Sequence, residues 1–215
     1  MNLLIMGPAG SGKGTMSERI LTVYDIPHIS TGDMLRKAID DKLEYGLKAN
    51  EYMSQGKLVP DEIINQIIEA RLQEKDLDNG FLADGYPRTL QQALEFDMIL
   101  GRLGKKIDAV LNLVVDFDEL AKRVTGRRLC PNCKAIYHIE NHPSKVEGIC
   151  DVCGSKLIQR NDDTIESLKT RLDEHHRNTE PVLEHYRQKG LVYDIDASRD
   201  IDTVFKNVEE VLKAL

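Results

Sequence analysis

The stretch NLLIMGPAGSGKGT, Asn2 to Thr15, decides the fold. A short β-rich run, Asn2 to Met6, enters a glycine-rich loop carrying one lysine, and a helical pattern, Met16-Ser17-Glu18-Arg19-Ile20-Leu21, follows at once. Strand, glycine loop, lysine and helix in that order make an anion cradle. Successive backbone N–H groups and the helix N-terminus point at phosphate oxygens, Gly10, Gly12 and Gly14 permit approaches that a side chain blocks, and Lys13 adds a full positive charge. A glycine-rich turn with an incidental lysine is the weaker reading, because both flanking elements fit.

Working outward, further β-rich runs stand at Pro27 to Ser30, Phe81 to Asp84, Ala109 to Val115 and Val192 to Asp196, each separated from the next by helical patterns. That alternation predicts βαβ crossovers and a parallel sheet with helices on both faces. The run Ala109 to Val115 is almost continuously apolar, which suits a strand covered on both sides and predicts a central place in the sheet. Two stretches interrupt the pattern. Residues 30–59 read as a small charged helical insertion, and residues 126–163 hold every cysteine; after them Asp163-Thr164-Ile165-Glu166 reads as a capping box that restarts a helix.

The 215 residues suit one buried core with small insertions, and 30% charged with 41% hydrophobic residues is an ordinary globular composition. A net charge of -7 opposes attraction to a nucleic-acid backbone unless a local basic patch overrides it. Apolar runs fall short of the ~20 residues that span a bilayer, and Met1 to Gly7 lacks a basic leader region, so a cytoplasmic protein with no membrane partner is expected. In a reducing compartment Cys130-Pro131-Asn132-Cys133 and Cys150-Asp151-Val152-Cys153, sixteen residues apart, read first as four ligands of a closed tetrahedral Zn²⁺ site. Two disulfides or four free thiols are the alternatives.

Asp84, in DGYPRT, ends the third β-rich run, the end at which open α/β sheets bind ligands, and is a candidate to orient Mg²⁺-bound water. In the phosphate loop Gly14 takes the place after the lysine where a metal-binding hydroxyl is usual, with Thr15 one position later, so Mg²⁺ is expected on nucleotide phosphates and waters instead. Arg36, Arg88, Arg123, Arg127, Arg160 and Arg171 stand where segments change character, and the four-residue spacing of Arg123 and Arg127 predicts a shared helix face. Each alone reads as a solvated charge; together, around a phosphate loop, they read as clamps for more phosphate than one triphosphate carries. His28, His138, His142, His175, His176 and His185 match no triad or H-E-x-x-H pattern. Transfer to an already ionised phosphate oxygen needs alignment and charge neutralisation, and no general base.

GPAGSGKGT, ISTGDMLR, GKLVPDE, DGYPRT, GRR and QRNDD…TRL, in this order and spacing, resemble adenylate kinases of the long bacterial type, from Met1 to the C-terminal helix. The resemblance implies an α/β, P-loop NTPase-type, doubly wound five-stranded parallel sheet. Its core would be residues 1–29, 60–125 and 164–215, with an AMP-binding insert at 30–59 and a zinc-ribbon lid at 126–163. The implied activity is reversible transfer of the terminal phosphoryl group of Mg-ATP to AMP, giving two ADP; with no heptad or long apolar stripe in the sequence, a monomer is expected.

Carried over by position, Lys13, Arg88, Arg127, Arg160 and Arg171 would be catalytic. Gly10, Ser11, Gly12, Lys13, Gly14 and Thr15 would hold ATP phosphates, Arg123 would stack on adenine, Arg127 would gather charge, Ile136 and Tyr137 would line the lid, and Arg199 would offer a backbone contact. The AMP side would take Thr31, Arg36, Lys57, Leu58, Val59, Gly85, Tyr86, Pro87, Arg88 and Gln92, together with Arg160 and Arg171. Gly56, Gly85 and Gly126 fit hinges. Ala9 in place of a usual proline, Tyr86 in place of the commoner phenylalanine, and Ser198-Arg199 in place of a glycine-containing turn depart from the family pattern. Cysteine-bearing lids of Gram-positive-type members support zinc. The competing readings are a zinc-ribbon nucleic-acid-binding protein with a nucleotide switch, which predicts a basic, aromatic-bearing ribbon, and a nucleoside monophosphate kinase of other base preference.

Overall fold

Every residue of β1 (Asn2–Met6) is buried, and the alternation along it divides its side chains between two cores. Leu4 and Met6 face one, with Phe81, Val110 and Phe96; Leu3 and Ile5 face the other, with Leu82, Leu111 and Ile20. This period of two, both halves apolar, is why the run reads as continuous. The computed structural model describes residues 1–55 and 57–215, so the expected hinge Gly56 lies outside the described residues.

Among the described residues five strands form the parallel sheet, in the order β2 (His28–Ser30), β3 (Phe81–Asp84), β1, β4 (Ala109–Val114), β7 (Val192–Asp196). Leu4 lies opposite Ala83 on one side and Val110 on the other. α4 (Asp61–Leu72), α5 (Leu90–Arg102) and α8 (Glu180–Arg187) supply Ile68, Phe96 and Tyr186 to the first core. α1 (Lys13–Val23) and α9 (Ile201–Lys213) supply Ile20 and Val208 to the second. Burying a large aliphatic or aromatic side chain stabilises by about 1.5–3 kcal/mol, so these two cores, more than strand propensity, hold the sheet.

β1, not β4, is the middle strand. β4 is interior but one strand from the edge, and its last residue, Val114, is half exposed. Its single polar member, Asn112, is buried and donates to Asp194 Oδ1 on β7 at 2.6 Å, which satisfies it. Because the chain leaves β1 for one side of the sheet and later returns to the other, a crevice opens at the strands' carboxyl ends, beside the loop after β1.

The first interruption folds into α2 (Thr31–Asp40) and α3 (Glu44–Met53). They approach so closely at Gly46 that a Cβ there would lie 2.4 Å from the Ala38 carbonyl oxygen. The second follows α6 (Phe117–Gly126) and holds a two-stranded antiparallel ribbon, β5 (Arg127–Leu129) with β6 (Ile136–His138), around a small core of Cys130, Tyr137, Cys150 and Leu157. α7 (Ile165–Glu174) then begins with Thr164 as its cap, accepting from the Ser167 N–H at 3.1 Å. The cap is Thr164 and not Asp163, whose carboxylate is turned elsewhere. No described helix is long and apolar enough to cross a membrane.

Candidate active site

The phosphate loop is shaped by its glycines. Gly12, with φ of 96°, precedes α1 without a side-chain cap, leaving first-turn N–H groups free to face an anion. Gly10, with φ of 87°, presses against α6, where a Cβ would stand 2.8 Å from Val124 Cγ2. Lys13 Nζ reaches back across the loop and donates to the carbonyls of Gly7 at 2.8 Å and Pro8 at 2.9 Å. Burial pulls its pKa down to about 8; Asp84 opposes that shift, and Arg88, Arg127 and Arg171 add to it. The Ser11 hydroxyl is buried without a protein partner.

On the neighbouring strand end, Asp84 leads into a loop fixed by a network. Thr31 Oγ1 donates to the Gly85 carbonyl at 2.9 Å, and Arg88 Nε donates to the same oxygen at 2.8 Å. The Arg88 N–H donates to Gln92 Oε1 at 2.7 Å, and Gln92 Nε2 donates to Asp61 Oδ1 at 2.5 Å. Tyr86 OH donates to Asn65 Oδ1 at 3.0 Å, and the Tyr86–Pro87 peptide is cis. Gln92 is thus buried with its amide committed to the loop. Of the segment before α4, Lys57 is exposed, Leu58 half-buried and Val59 part of the first core.

Six cations from different segments converge here: Lys13, Arg36 on α2, Arg88, Arg127 on β5, Arg160, and Arg171 on α7. Burial lowers Arg160 to about 10, with Arg36 and Arg127 adding. Arg171 falls to about 10 by burial and by Arg127, Arg88, Arg160 and Arg36. Arg88 is lowered by burial and Arg36, opposed by Asp84. Carboxylates hold part of the set. Asp33 Oδ1 takes Arg36 at 2.6 Å, Asp163 takes Arg127 through both oxygens, and Asp162 takes Arg171. Arg160 Nε is buried with no protein partner. A set of mutually repelling guanidiniums with free donors suits a polyphosphate.

The cysteine segment leans over the loop. Ile136 Cδ1 lies 3.3 Å from where a Cβ on Gly14 would stand, which gives that glycine a packing reason. Beside α1, Glu18 is raised by partial burial and by Asp33 of α2, with His142 opposing, so charges from both interruptions act on one helix.

Several expectations change. Arg127 does not share a helix face with Arg123: α6 ends at Gly126 and Arg127 is extended, with φ of -65° and ψ of 139°. The helix stops because β5 pairs with β6, placing the His138 ring where a Cβ on Gly126 would lie 2.2 Å from Nε2. Gly126 is therefore required by close packing. Arg123 stays on α6, bonded to Glu119 at 2.8 Å. Ile136 and Tyr137 point opposite ways, as neighbours on a strand must: the Tyr137 hydroxyl accepts from the Asp151 N–H at 2.8 Å inside the ribbon's own core. Arg199 is exposed beyond β7 and pairs with Asp196. Thr15 is half-buried in the first turn of α1, and Pro87 is buried in the loop after β3.

The four sulfurs lie within 4.8 Å of one another and none is in a disulfide. The two pairs are built alike. Lys134 N–H donates to the Cys130 carbonyl at 3.0 Å and Gly154 N–H to that of Cys150 at 2.9 Å, with positive φ at Lys134 and Gly154. Two such knuckles presenting four thiols fit one tetrahedral soft-metal site.

Asp162 and Asp163 hold Arg171 and Arg127, while Asp61, through Gln92, and Thr179, which donates to the Arg88 carbonyl at 3.2 Å, hold the Arg88 loop; sequence reasoning gives none of the four a site role, although QRNDD and GKLVPDE contain three of them. The adjacent acids in Asn161-Asp162-Asp163, set between Arg160 and Arg171 in the sequence, are the signal that points to two of them.

Residues 5–191 match the family model described as Adenylate kinase. The chain is 49% identical to an adenylate kinase of Archaeoglobus fulgidus over 215 residues, covering 100% of this chain and 99% of that one. It is 47% identical over 212 residues to one of Caldanaerobacter subterraneus subsp. tengcongensis, covering 99% and 96%. It is 46% identical over 215 residues to one of Staphylococcus epidermidis, covering the whole of both. With the phosphate loop, the converging arginines and this likeness along its full length, the chain belongs to the adenylate kinase family.

Proposed function

We propose that Lys13, Arg88, Arg127, Arg160 and Arg171 carry out the phosphoryl transfer from ATP to AMP that makes this chain a nucleoside monophosphate kinase, holding both nucleotides' phosphates in line between the two loops. The observation that carries this is the convergence of six cations from the phosphate loop, α2, the Arg88 loop and the cysteine segment on one volume. That charge exceeds what one triphosphate needs and suits two nucleotides end to end. Gly10 to Thr15 cradle the ATP phosphates, and Arg123, Ile136, the Tyr137 backbone and the Arg199 backbone border its base. Thr31, Arg36, Lys57 to Val59 and Gly85 to Arg88 border AMP, while Gln92 fixes the Arg88 loop. AMP offers an ionised oxygen, so the work is alignment and charge neutralisation.

Residues 30–59 serve as the AMP-binding insert and 126–163 as the lid, and their closure excludes water that would otherwise hydrolyse the moving group. Asp84 would orient a water of a Mg²⁺ ion carried on the nucleotide phosphates, and that ion would neutralise phosphate charge. Cys130, Cys133, Cys150 and Cys153 would hold a Zn²⁺ ion that orders the lid, outside the transfer itself. The nucleic-acid reading of the ribbon loses its stacking platform, because Tyr137, its aromatic residue, is buried. The protein acts as a cytoplasmic monomer on ATP, AMP and ADP.

The test supplies Mg-ATP with AMP, GMP, CMP or UMP and follows diphosphate formation. Rapid ADP production with AMP is expected. Transfer to another monophosphate in preference reassigns the base, and transfer to none sinks the reading.

A further inference from the structure

Between α7 and α8 the chain makes one wide turn, His175 to Thr179, in which the Glu180 N–H donates to the His175 carbonyl five residues back. Pro181 follows, and a proline removes one ordinary helical bond while its ring crowds the carbonyl four residues earlier, which a wider turn relieves. In an α-helix residues five apart stand about 140° apart around the axis. The wider turn brings them onto one side, and the ligand atoms of His175, His176 and Glu180 lie within 4.8 Å of one another.

These three side chains line a cavity of about 400 Å³ that also reaches Pro8 of the phosphate loop and Asn112 of β4. His175 Nε2 is buried and has no protein partner. We propose that His175, His176 and Glu180 form a second metal site, for a divalent transition-metal ion, separate from the four cysteines. Two imidazoles and one carboxylate select Zn²⁺, Ni²⁺ or Co²⁺ over Mg²⁺, which takes oxygen ligands, and lack the thiolates that define the lid site. The cavity leaves room for waters to complete the coordination. The alternative is a packing pair: the two rings meet edge to face at 5.9 Å.

The experiment titrates tag-free, zinc-loaded protein with Ni²⁺ by calorimetry and counts both metals after dialysis. One Ni²⁺ per chain with zinc retained is expected, undisturbed by excess Mg²⁺, and His176→Ala and Glu180→Gln should each weaken it about tenfold or more, a change of about 1.4 kcal/mol. His176 is exposed, so its variant folds, and His142→Ala should leave binding unchanged. The proposal is overturned by absence of nickel uptake, by uptake that neither variant weakens, or by uptake that releases zinc and gives a thiolate-to-nickel charge-transfer band.

Discussion

Arg127, the first residue after α6, and Asp163, the last before the Thr164 cap, are joined across the root of the cysteine segment, with Arg127 Nε donating to Asp163 Oδ2 at 3.0 Å. Asp163 is fully buried. Its loss strands a guanidinium beside Arg160 and Arg171. Asp163→Asn is expected to destabilise the protein by about 2–4 kcal/mol and to lower kcat/KM for ATP at least tenfold. Denaturant unfolding and steady-state rates measure both; unchanged values would show the pair idle.

Lys13 ties function to pH. Its folded pKa of about 8 lies below the ordinary lysine value of 10.5, so between those pH values the unfolded chain binds more protons and stability rises with pH. Below about 8 the penalty of a buried charge is fully present. Lys13→Met should therefore stabilise the nucleotide-free protein at pH 7 by about 1–2 kcal/mol, discounted for a side chain still partly open to solvent, and should lose that gain near pH 11. Activity should fall by orders of magnitude, as it should for Arg88→Ala. Thermal melts at pH 7 and pH 11 check the sign.

Gly85 holds φ of 79°, and a Cβ there would meet Arg88 Nη2 at 2.9 Å and Thr31 Oγ1 at 3.0 Å. Gly85→Ala should cost about 1–2 kcal/mol and raise KM for AMP more than KM for ATP. Equal rises in both constants would show that the loop serves no one substrate.

At Gly14 the contact comes from the lid. Gly14→Ala should raise KM for ATP several-fold, and Ile136→Val, which removes Cδ1, should recover most of it, a coupling of about 1 kcal/mol. Additive effects of the two changes would place the lid's closed position elsewhere.

Chelation with thiol modification should remove one zinc per chain. Amides of residues 127–158 should then lose hydrogen-exchange protection while those of β1 and β4 keep theirs, because the ribbon's own core is four residues. Loss of protection across the sheet would make the zinc a global brace.

The strands were legible because their signals are local: Leu3, Leu4 and Ile5 alternate between two apolar cores, and Gly10, Gly12 and Lys13 follow directly. The clustering of the four cysteines was legible in the two Cys-x-x-Cys pairs for the same reason. Arg127 was misplaced because a four-residue spacing carries no sign that His138 ends the helix at Gly126.

The order of residues along the chain by itself determined the α/β class, the phosphate loop, the two cysteine pairs and the family, all of which depend on spacing within short segments. Only the tertiary structure decided that Asp163 belongs to Arg127 and Asp162 to Arg171, that Tyr137 turns inward, and that a wide turn sets His175 beside Glu180. Charges distant in sequence interact according to distance and burial, and those are set by how the two cores pack.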